Sequence, residues 1–316
     1  MSANHQPIRI GTRGSPLALV QARMVRDDLA AAHADLSGSD DIQVVPIKTT
    51  GDAVQDRKLM EIGGKGLFTK EIEEALLDGR IDCAVHSMKD MPTWLPDGLA
   101  IGAMLAREDA RDALFARIGA GIAELPRGAA VGTASLRRQA QLLALRPDLT
   151  VVPLRGNVET RLRKLAAGEA DATLLAVAGL KRLGLLDKAS AIIDSAEILP
   201  AVGQGAIGVE MRADNARLRA LLAPLDHRAT TLCVTAERAC LAELDGSCHT
   251  PIAAYAELAA DGLGIRLRSL IALPDGSAVH RDEREGPAAD PVALGRAAGK
   301  RLKAAAAPEF FRVASA

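Results

Sequence analysis

Aromatic side chains are scarce: Phe, Trp and Tyr make up 2% of the 316 residues. Platforms on which nucleic-acid bases could stack are therefore few. There is no excess of positive charge either, with 39 Lys and Arg against 40 Asp and Glu. A DNA or RNA partner would find no basic body to bind, and any anion must use a local cluster. No run of about 18 apolar residues occurs, so no helix is expected to span a membrane. The opening residues, MSANHQPIRIG, lack the charged start and apolar stretch of a secretory signal. The four cysteines, Cys83, Cys233, Cys240 and Cys248, show no C-x-x-C spacing and no nearby histidine pair, so no metal site is expected. A cytoplasmic protein with reduced thiols fits these absences.

The chain is long enough for two or three domains, and its 48% hydrophobic content can fill their cores. The first two-thirds repeat one local pattern. A short apolar run leads to a polar turn and then to a helix-period segment. Ile8–Ile10 precede Gly11-Thr12-Arg13-Gly14-Ser15, where Ser15 suits a helix N-cap and Pro16 a first helical position. Apolar runs recur at Ile42–Ile47 and Ile81–Val85, the latter ending in His86-Ser87-Met88-Lys89-Asp90. The pattern restarts at Ala129–Val131, followed by a helix Leu136–Leu145. It continues at Leu149–Leu154 and Ala172–Val177. Strands alternating with helices predict two α/β domains with parallel sheets. The charged stretch Arg107–Asp112 reads as a seam, and Leu199–Gly208 as a return crossing. The last ~90 residues change style, with a helix near Arg228–Leu244, extended runs at Ile252–Leu258, Gly264–Leu273 and Ser277–Arg284, and a final helix near Pro291–Ala306. They predict a small α+β domain with an antiparallel sheet.

Ligands of open α/β sheets bind beyond the carboxyl ends of the strands. The residues there are Arg13 and Ser15; Lys48, Thr49 and Asp52; His86 to Asp90; Thr133, Ser135, Arg137 and Arg138; Arg155, Asn157 and Arg161; Lys181 and Arg182. Singly, each Arg reads as a solvated helix-terminal charge. As a set in a neutral protein, they point to a cleft for a ligand bearing several carboxylates or phosphates. Asp90 is the acid among them, suited either to a developing cation or to an ordinary salt bridge. His86 closes an apolar strand, which favours a hydrogen-bonded structural role over a catalytic one. Cys248 stands among Gly246, Ser247 and Pro251 in a loop where a thiolate could react. Lys48–Gly66 is too polar and Gly-rich for regular structure, and reads as a lid or a disordered insertion. Two look-alikes fail. Gly203–Gly208 fits G-x-G-x-x-G without the strand–turn–helix context, and Gly63-Gly64-Lys65-Gly66 lacks the phosphate-loop spacing.

The segments TRGSPLAL, GGKGLF, AVHSMKDMP, VGTASLRRQ, LRGNVETRL, LLAVAGLKRLG, LPAVGQGAIG, AER and LDGSCHTPIA resemble, in order and spacing, the porphobilinogen deaminase (hydroxymethylbilane synthase) family. The resemblance implies two type II periplasmic-binding-protein-like α/β domains, residues 1–105 with 206–223 and residues 106–205. It also implies a cofactor-carrying α+β domain over residues 224–316. The implied activity joins four porphobilinogen units head to tail onto a covalent dipyrromethane, releasing ammonia and, after hydrolysis, hydroxymethylbilane. Cys248 would hold that cofactor through a thioether, and Asp90 would be the catalytic carboxylate. Lys89, Thr133, Ser135, Arg137 and Arg138 would bind the cofactor; Arg13, Ser15, Lys65, Arg155, Arg161 and Arg182 would bind substrate. Gln204 falls in the crossing between domains, and the Lys48–Gly66 loop resembles the family's mobile loop. Ala134 stands where many relatives have serine, and Glu61 where some have lysine. The implied enzyme is a cytoplasmic monomer with a small-molecule substrate, no nucleic acid, no membrane and no metal. Two other classes compete: a non-catalytic receptor for a carboxylated solute, and an RNA-binding protein using the Arg-rich turns. The loop cysteine speaks against the first, the neutral charge and few aromatics against the second.

Overall fold

The computed structural model describes residues 7–38, 40–50, 69–244 and 250–311. The chain divides into two compact units, Met1–Arg107 with Ala206–Thr231, and Glu108–Gly205 with Leu232–Ala316.

In the first unit, strands β1 (Ile8–Arg13) and β2 (Ile42–Ile47) pair in parallel, and β1 also pairs in parallel with β3 (Cys83–Ser87). Strands β4 (Leu99–Met104) and β10 (Ile207–Arg212) complete a five-stranded sheet in the order β2-β1-β3-β10-β4. Helix α1 (Pro16–Ala32) starts where Ser15 caps it: the hydroxyl accepts from Ala18 N at 3.3 Å. Its buried Ala22, Val25 and Leu29 pack with Ile10, Val85 and Val209 on one sheet face. Helix α2 (Lys70–Leu77) supplies Ile72, Ala75 and Leu76 to a second core with Ile81, Ala84 and Leu99. Alternation along β3 thus sends Cys83 and Val85 to the α1 side and Ala84 to the α2 side.

The second unit contains two sheets. The larger one is built from β5 (Asp112–Ala116), β6 (Ala130–Gly132), β7 (Thr150–Val152), β8 (Ala172–Ala176) and β9 (Ala191–Ile193), in the order β7-β6-β8-β5-β9. Helices α3 (Leu136–Leu145), α4 (Val158–Ala166) and α5 (Val177–Arg182) follow β6, β7 and β8. Ser135 caps α3 and Asn157 caps α4. Between Arg155 and Asn157 the chain turns at Gly156, whose φ of 118° is open to glycine alone at little cost.

The two five-stranded sheets share one plan. In each, four strands share one direction and a fifth, inserted between the third and the fourth, runs antiparallel to both: β10 between β3 and β4, and β5 between β8 and β9. The expectation of parallel sheets is corrected accordingly, because both sheets are mixed. The intruding strands carry little sequence signal. β5 begins with Asp112 at the end of a charged run, and β10 follows a glycine-rich crossing with positive φ at Gly203 and Gly205.

The C-terminal sheet is antiparallel, ordered β11 (Ile252–Leu258), β12 (Gly264–Ala272), β13 (Val279–Pro287). Helix α6 (Ala216–Leu222) closes the first unit's segment, and α7 (Arg228–Glu243) and α8 (Pro291–Ala305) accompany the C-terminal sheet. Ile265 and Leu267 are buried while Arg266 is exposed, the alternation expected of β12. Its end departs from that rule, since Leu270 joins Ala140, Leu199 and Ala253 in a further apolar cluster. Gly295 and Gly299 of α8 face α7 so closely that a Cβ at either would strike backbone of Ala236 or Cys240.

Candidate functional site

A pocket in the first unit forms at the carboxyl ends of β1 and β3. Arg13, Ser15, Gln21, Thr69, His86, Ser87 and Asp90 line it. Each reaches it for a local reason. Arg13 ends β1 and Ser15 caps α1, so the α1 N-terminus with its positive dipole end opens there. Ser87 ends β3, and the short 3-10 turn Met88–Asp90 carries exposed Asp90 beyond it. Gln21, 2% exposed, fixes Ser87 by exchanging hydrogen bonds with its hydroxyl at 2.8 and 3.1 Å. The turn is anchored by Met88, whose N–H donates to Ala206 O at 3.0 Å. A Cβ at Gly208 would collide with Met88 Sδ, so glycine there makes the slot in which Met88 sits. Lys89 is exposed beside Asp90. Asp90 is the one carboxylate among the described residues that line this pocket.

Behind the pocket lies a charged group that sequence reading did not anticipate. His86 Nε2 is 3.0 Å from Glu210 Oε2, and Glu210 is fully buried. The register explains the meeting. Glu210 opposes Ala84 and Gly208 opposes His86, so Glu210 and His86 are diagonal neighbours on one face of the sheet. Glu73 of α2 lies over the same face and is 8% exposed. Burial pushes its carboxyl above the usual range; the Thr69 hydroxyl opposes this, Glu210 reinforces it, and His86 opposes it.

In the second unit, Thr133, Ser135, Arg137 and Arg138 come together at the N-terminus of α3. Thr133 Oγ1 accepts from Ser135 N at 3.1 Å, and Ser135 Oγ accepts from Arg138 N at 3.4 Å. Arg137 and Arg138 are 6% and 5% exposed, not solvated helix-terminal charges. Both bind Asp112. Arg137 Nη2 donates to Oδ2 at 2.9 Å, and Arg138 donates through Nε at 3.1 Å and Nη2 at 2.7 Å. Arg137 also donates to Leu199 O, and Arg138 to Leu174 O. Gln204 Nε2 adds a third donor to Asp112, at 2.8 Å. Burial by itself would raise the Asp112 carboxyl; the two guanidiniums outweigh it and hold the group far below the usual carboxylate range. Burial, against the pull of Asp112, lowers Arg137.

Other expected cations of this unit are separately held. Arg161 Nε donates to Gly156 O at 2.8 Å, and Arg155 is half-buried beside it in sequence. Arg182 Nη2 donates to Gly205 O at 2.7 Å, and burial lowers its pKa. Lys181 instead pairs with Glu108 at 2.7 Å. Lys65, Asp52 and Cys248 lie outside the described residues, as does most of the Lys48–Gly66 loop.

Asp112, Gln21, Glu210 and Glu73 were missed by sequence reading. Asp112 ends a charged run that looks like a surface seam, and Glu210 alternates within an apolar strand of unknown partner. A fully buried Glu237 was missed likewise: it accepts from Gly203 N at 2.7 Å and Ala256 N at 2.8 Å, tying the crossing to β11.

The second unit's arrangement fits an anionic group. Two buried guanidiniums face one carboxylate, leaving a surplus positive charge. The Nε atoms of Arg137 and Arg182 are buried without a hydrogen-bond partner among the described residues. Buried donors of this kind are costly unless a ligand satisfies them.

Comparison with known proteins gives a consistent answer. A family model described as "Porphobilinogen deaminase, dipyromethane cofactor binding domain" matches residues 8–220, and one described as "Porphobilinogen deaminase, C-terminal domain" matches residues 231–304. The chain is 59% identical over 305 residues to the porphobilinogen deaminase of Paracoccus denitrificans, covering 96% of both chains. It is 54% identical over 306 residues to the chloroplastic porphobilinogen deaminase of Oryza sativa subsp. japonica, covering 96% of this chain and 85% of that one. Among solved structures, the methionine-binding protein MetQ aligns with a TM-score of 0.41 at 15% identity, over 67% of this chain and 85% of that one. The chain belongs to the porphobilinogen deaminase family, whose enzymes polymerise porphobilinogen with a dipyrromethane cofactor in tetrapyrrole biosynthesis.

Proposed function

We propose that the chain joins four porphobilinogen units head to tail, with Asp90 as the catalytic carboxylate, and releases hydroxymethylbilane. The observation that carries this assignment is the lone carboxylate of Asp90 in a pocket whose other polar lining is Arg13, Gln21, His86 and the hydroxyls of Ser15, Thr69 and Ser87, at the α1 N-terminus. Porphobilinogen bears an acetate and a propionate, which the guanidinium of Arg13 and the hydroxyl of Ser15 would hold, while the ammonium of Lys89 would hold a carboxylate of the cofactor. Loss of ammonia leaves an electron-poor methylene next to the pyrrole. The Asp90 carboxylate stabilises the charge that develops there, and accepts from pyrrole N–H groups.

Cys248 would hold the dipyrromethane through a thioether, and the bound group would supply the primer on which the chain grows. Thr133, Ser135, Arg137 and Arg138 would hold its carboxylates, Arg137 through the Nε that Asp112 leaves unused. Arg155, Arg161, Arg182 and Lys65 would hold carboxylates of the lengthening product. Tethering turns each addition into a positioned encounter rather than a bimolecular one.

The same reading assigns three domains, residues 1–105 with 206–223, 106–205 and 224–316; its support is three separate sheets. It also assigns a cytoplasmic monomer acting on a small molecule. Cys83, Cys233 and Cys240 are free and buried, which suits a reducing compartment. No described helix is long and apolar enough to cross a membrane.

Intact-mass measurement of the denatured protein tests the proposal. The purified chain should carry a dipyrromethane increment, and Cys248→Ser should show the bare mass and no turnover of porphobilinogen. A fully active, cofactor-bearing Cys248→Ser variant overturns the assignment.

A further inference from the structure

The reaction needs more than a carboxylate for its cation. When a new carbon–carbon bond forms, the attacking pyrrole α-carbon still carries a hydrogen. That proton must leave before the ring recovers its aromaticity. Nothing assigned so far accepts it, since Asp90 must stay charged to stabilise the electrophile.

His86 stands at the pocket wall with Arg13, Ser15, Ser87 and Asp90. Its Nε2 lies 3.0 Å from Glu210 Oε2. A carboxylate at one ring nitrogen fixes the tautomer: Nε2–H donates, and Nδ1 keeps its lone pair. Glu210 is fully buried on β10 and faces His86 across the sheet. Glu73 completes the group from α2. Its proton affinity is raised by burial first, then tempered by Thr69, reinforced by Glu210 and tempered by His86. The Oε1 atoms of Glu73 and Glu210 are buried with no hydrogen-bond partner among the described residues.

We propose that His86, oriented by Glu210, is the base that takes the α-proton at each addition. The inference rests on the reading of the pocket given above. The balance is complete. The C–C bond forms between the α-carbon of the terminal pyrrole and the methylene of the incoming unit. The α-C–H bond breaks, its electron pair returns to the ring, and its proton goes to His86 Nδ1. The imidazolium then passes the proton to the ammonia released from that unit, which departs as ammonium, and the imidazole is restored.

Two measurements test the role. The first is a kinetic comparison of His86→Gln, which keeps a donor toward Glu210 and removes the base. It should retain the cofactor mass and leave KM near that of the unaltered chain. Its kcat should fall by about 10²-fold, and porphobilinogen deuterated at its free α-position should now be consumed more slowly than the protiated form. An unchanged kcat, or a loss confined to KM, overturns the proposal. The second measurement does not use activity and needs no variant. In protein labelled with ¹⁵N-histidine, the His86 ring should carry its proton on Nε2 and none on Nδ1; the opposite tautomer overturns the proposal even if His86→Gln fails to fold. Failure of the underlying reading is distinguishable, because the unaltered chain would then lack the cofactor mass and leave porphobilinogen unconsumed.

Discussion

Asp112 grips Arg138 with both oxygens: Oδ1 accepts from Nη2 at 2.7 Å and Oδ2 from Nε at 3.1 Å. The carboxylate is wholly buried, and Arg137 shares Oδ2 at 2.9 Å. One negative charge thus keeps two guanidiniums inside the second unit. Removing one partner of a buried ion pair leaves the other uncompensated. Asp112→Ala should therefore cost about 3–5 kcal/mol, read as a lowered urea midpoint.

The same group makes stability depend on pH. Its folded-state pKa is held below the unfolded value of about 3.9, with burial opposed and outweighed by Arg137 and Arg138. The contribution is fully present above that unfolded value and is lost as pH falls toward the folded one. The unaltered chain should lose stability steeply below about pH 4. Urea midpoints of Asp112→Asn over the same range should fall less steeply.

Asp90 is exposed at the end of a three-residue turn and caps no helix. Asp90→Asn should fold with an unchanged melting temperature. Turnover of porphobilinogen should drop by about 10²–10³-fold. A rate near that of the unaltered chain would remove Asp90 from the chemistry.

Gly208→Ala tests how the turn is seated. The new methyl group meets the Sδ of Met88, which is 1% exposed. Overpacking of this kind costs about 1–3 kcal/mol, and it displaces the turn that ends in Asp90. Calorimetry should show the lower stability, and steady-state kinetics a kcat reduced more than KM is raised. The double variant Met88→Ala with Gly208→Ala should recover part of the lost rate.

Ser15 has one observed role and one proposed role. Its hydroxyl caps α1, and its loss should cost about 1 kcal/mol. If the same hydroxyl also meets a substrate carboxylate, Ser15→Ala raises KM, whereas Ser15→Asp keeps the cap and repels the anion, raising KM further. A KM unchanged in both variants would leave Ser15 as a cap only.

What the sequence made legible was local. Pro16–Ala32, Leu136–Leu145 and Ile252–Leu258 were read with their observed bounds, because caps, prolines and periodicity act over a few residues. Ser15 and the turn bearing Asp90 were placed for the same reason. β5 was missed because a buried Asp112 looks in sequence like the last residue of a surface run. Its identity depends on Arg137, Arg138 and Gln204, all distant along the chain. The His86–Glu210 pair was hidden likewise. Histidine closing an apolar strand suggested a hydrogen-bonded side chain, which is found, but the partner lies in a strand whose pairing no local pattern encodes. Motif resemblance located Cys248 and Lys65 by position, and they remain outside the described residues.

The threading of β10 between β3 and β4 constrains biosynthesis. An emerging polypeptide holds β3 and β4 long before Ile207–Arg212 leave the ribosome, so two strand flanks wait unsatisfied while the intervening hundred or so residues are translated. Early termination anywhere ahead of residue 207 would leave those flanks bare and prone to self-association.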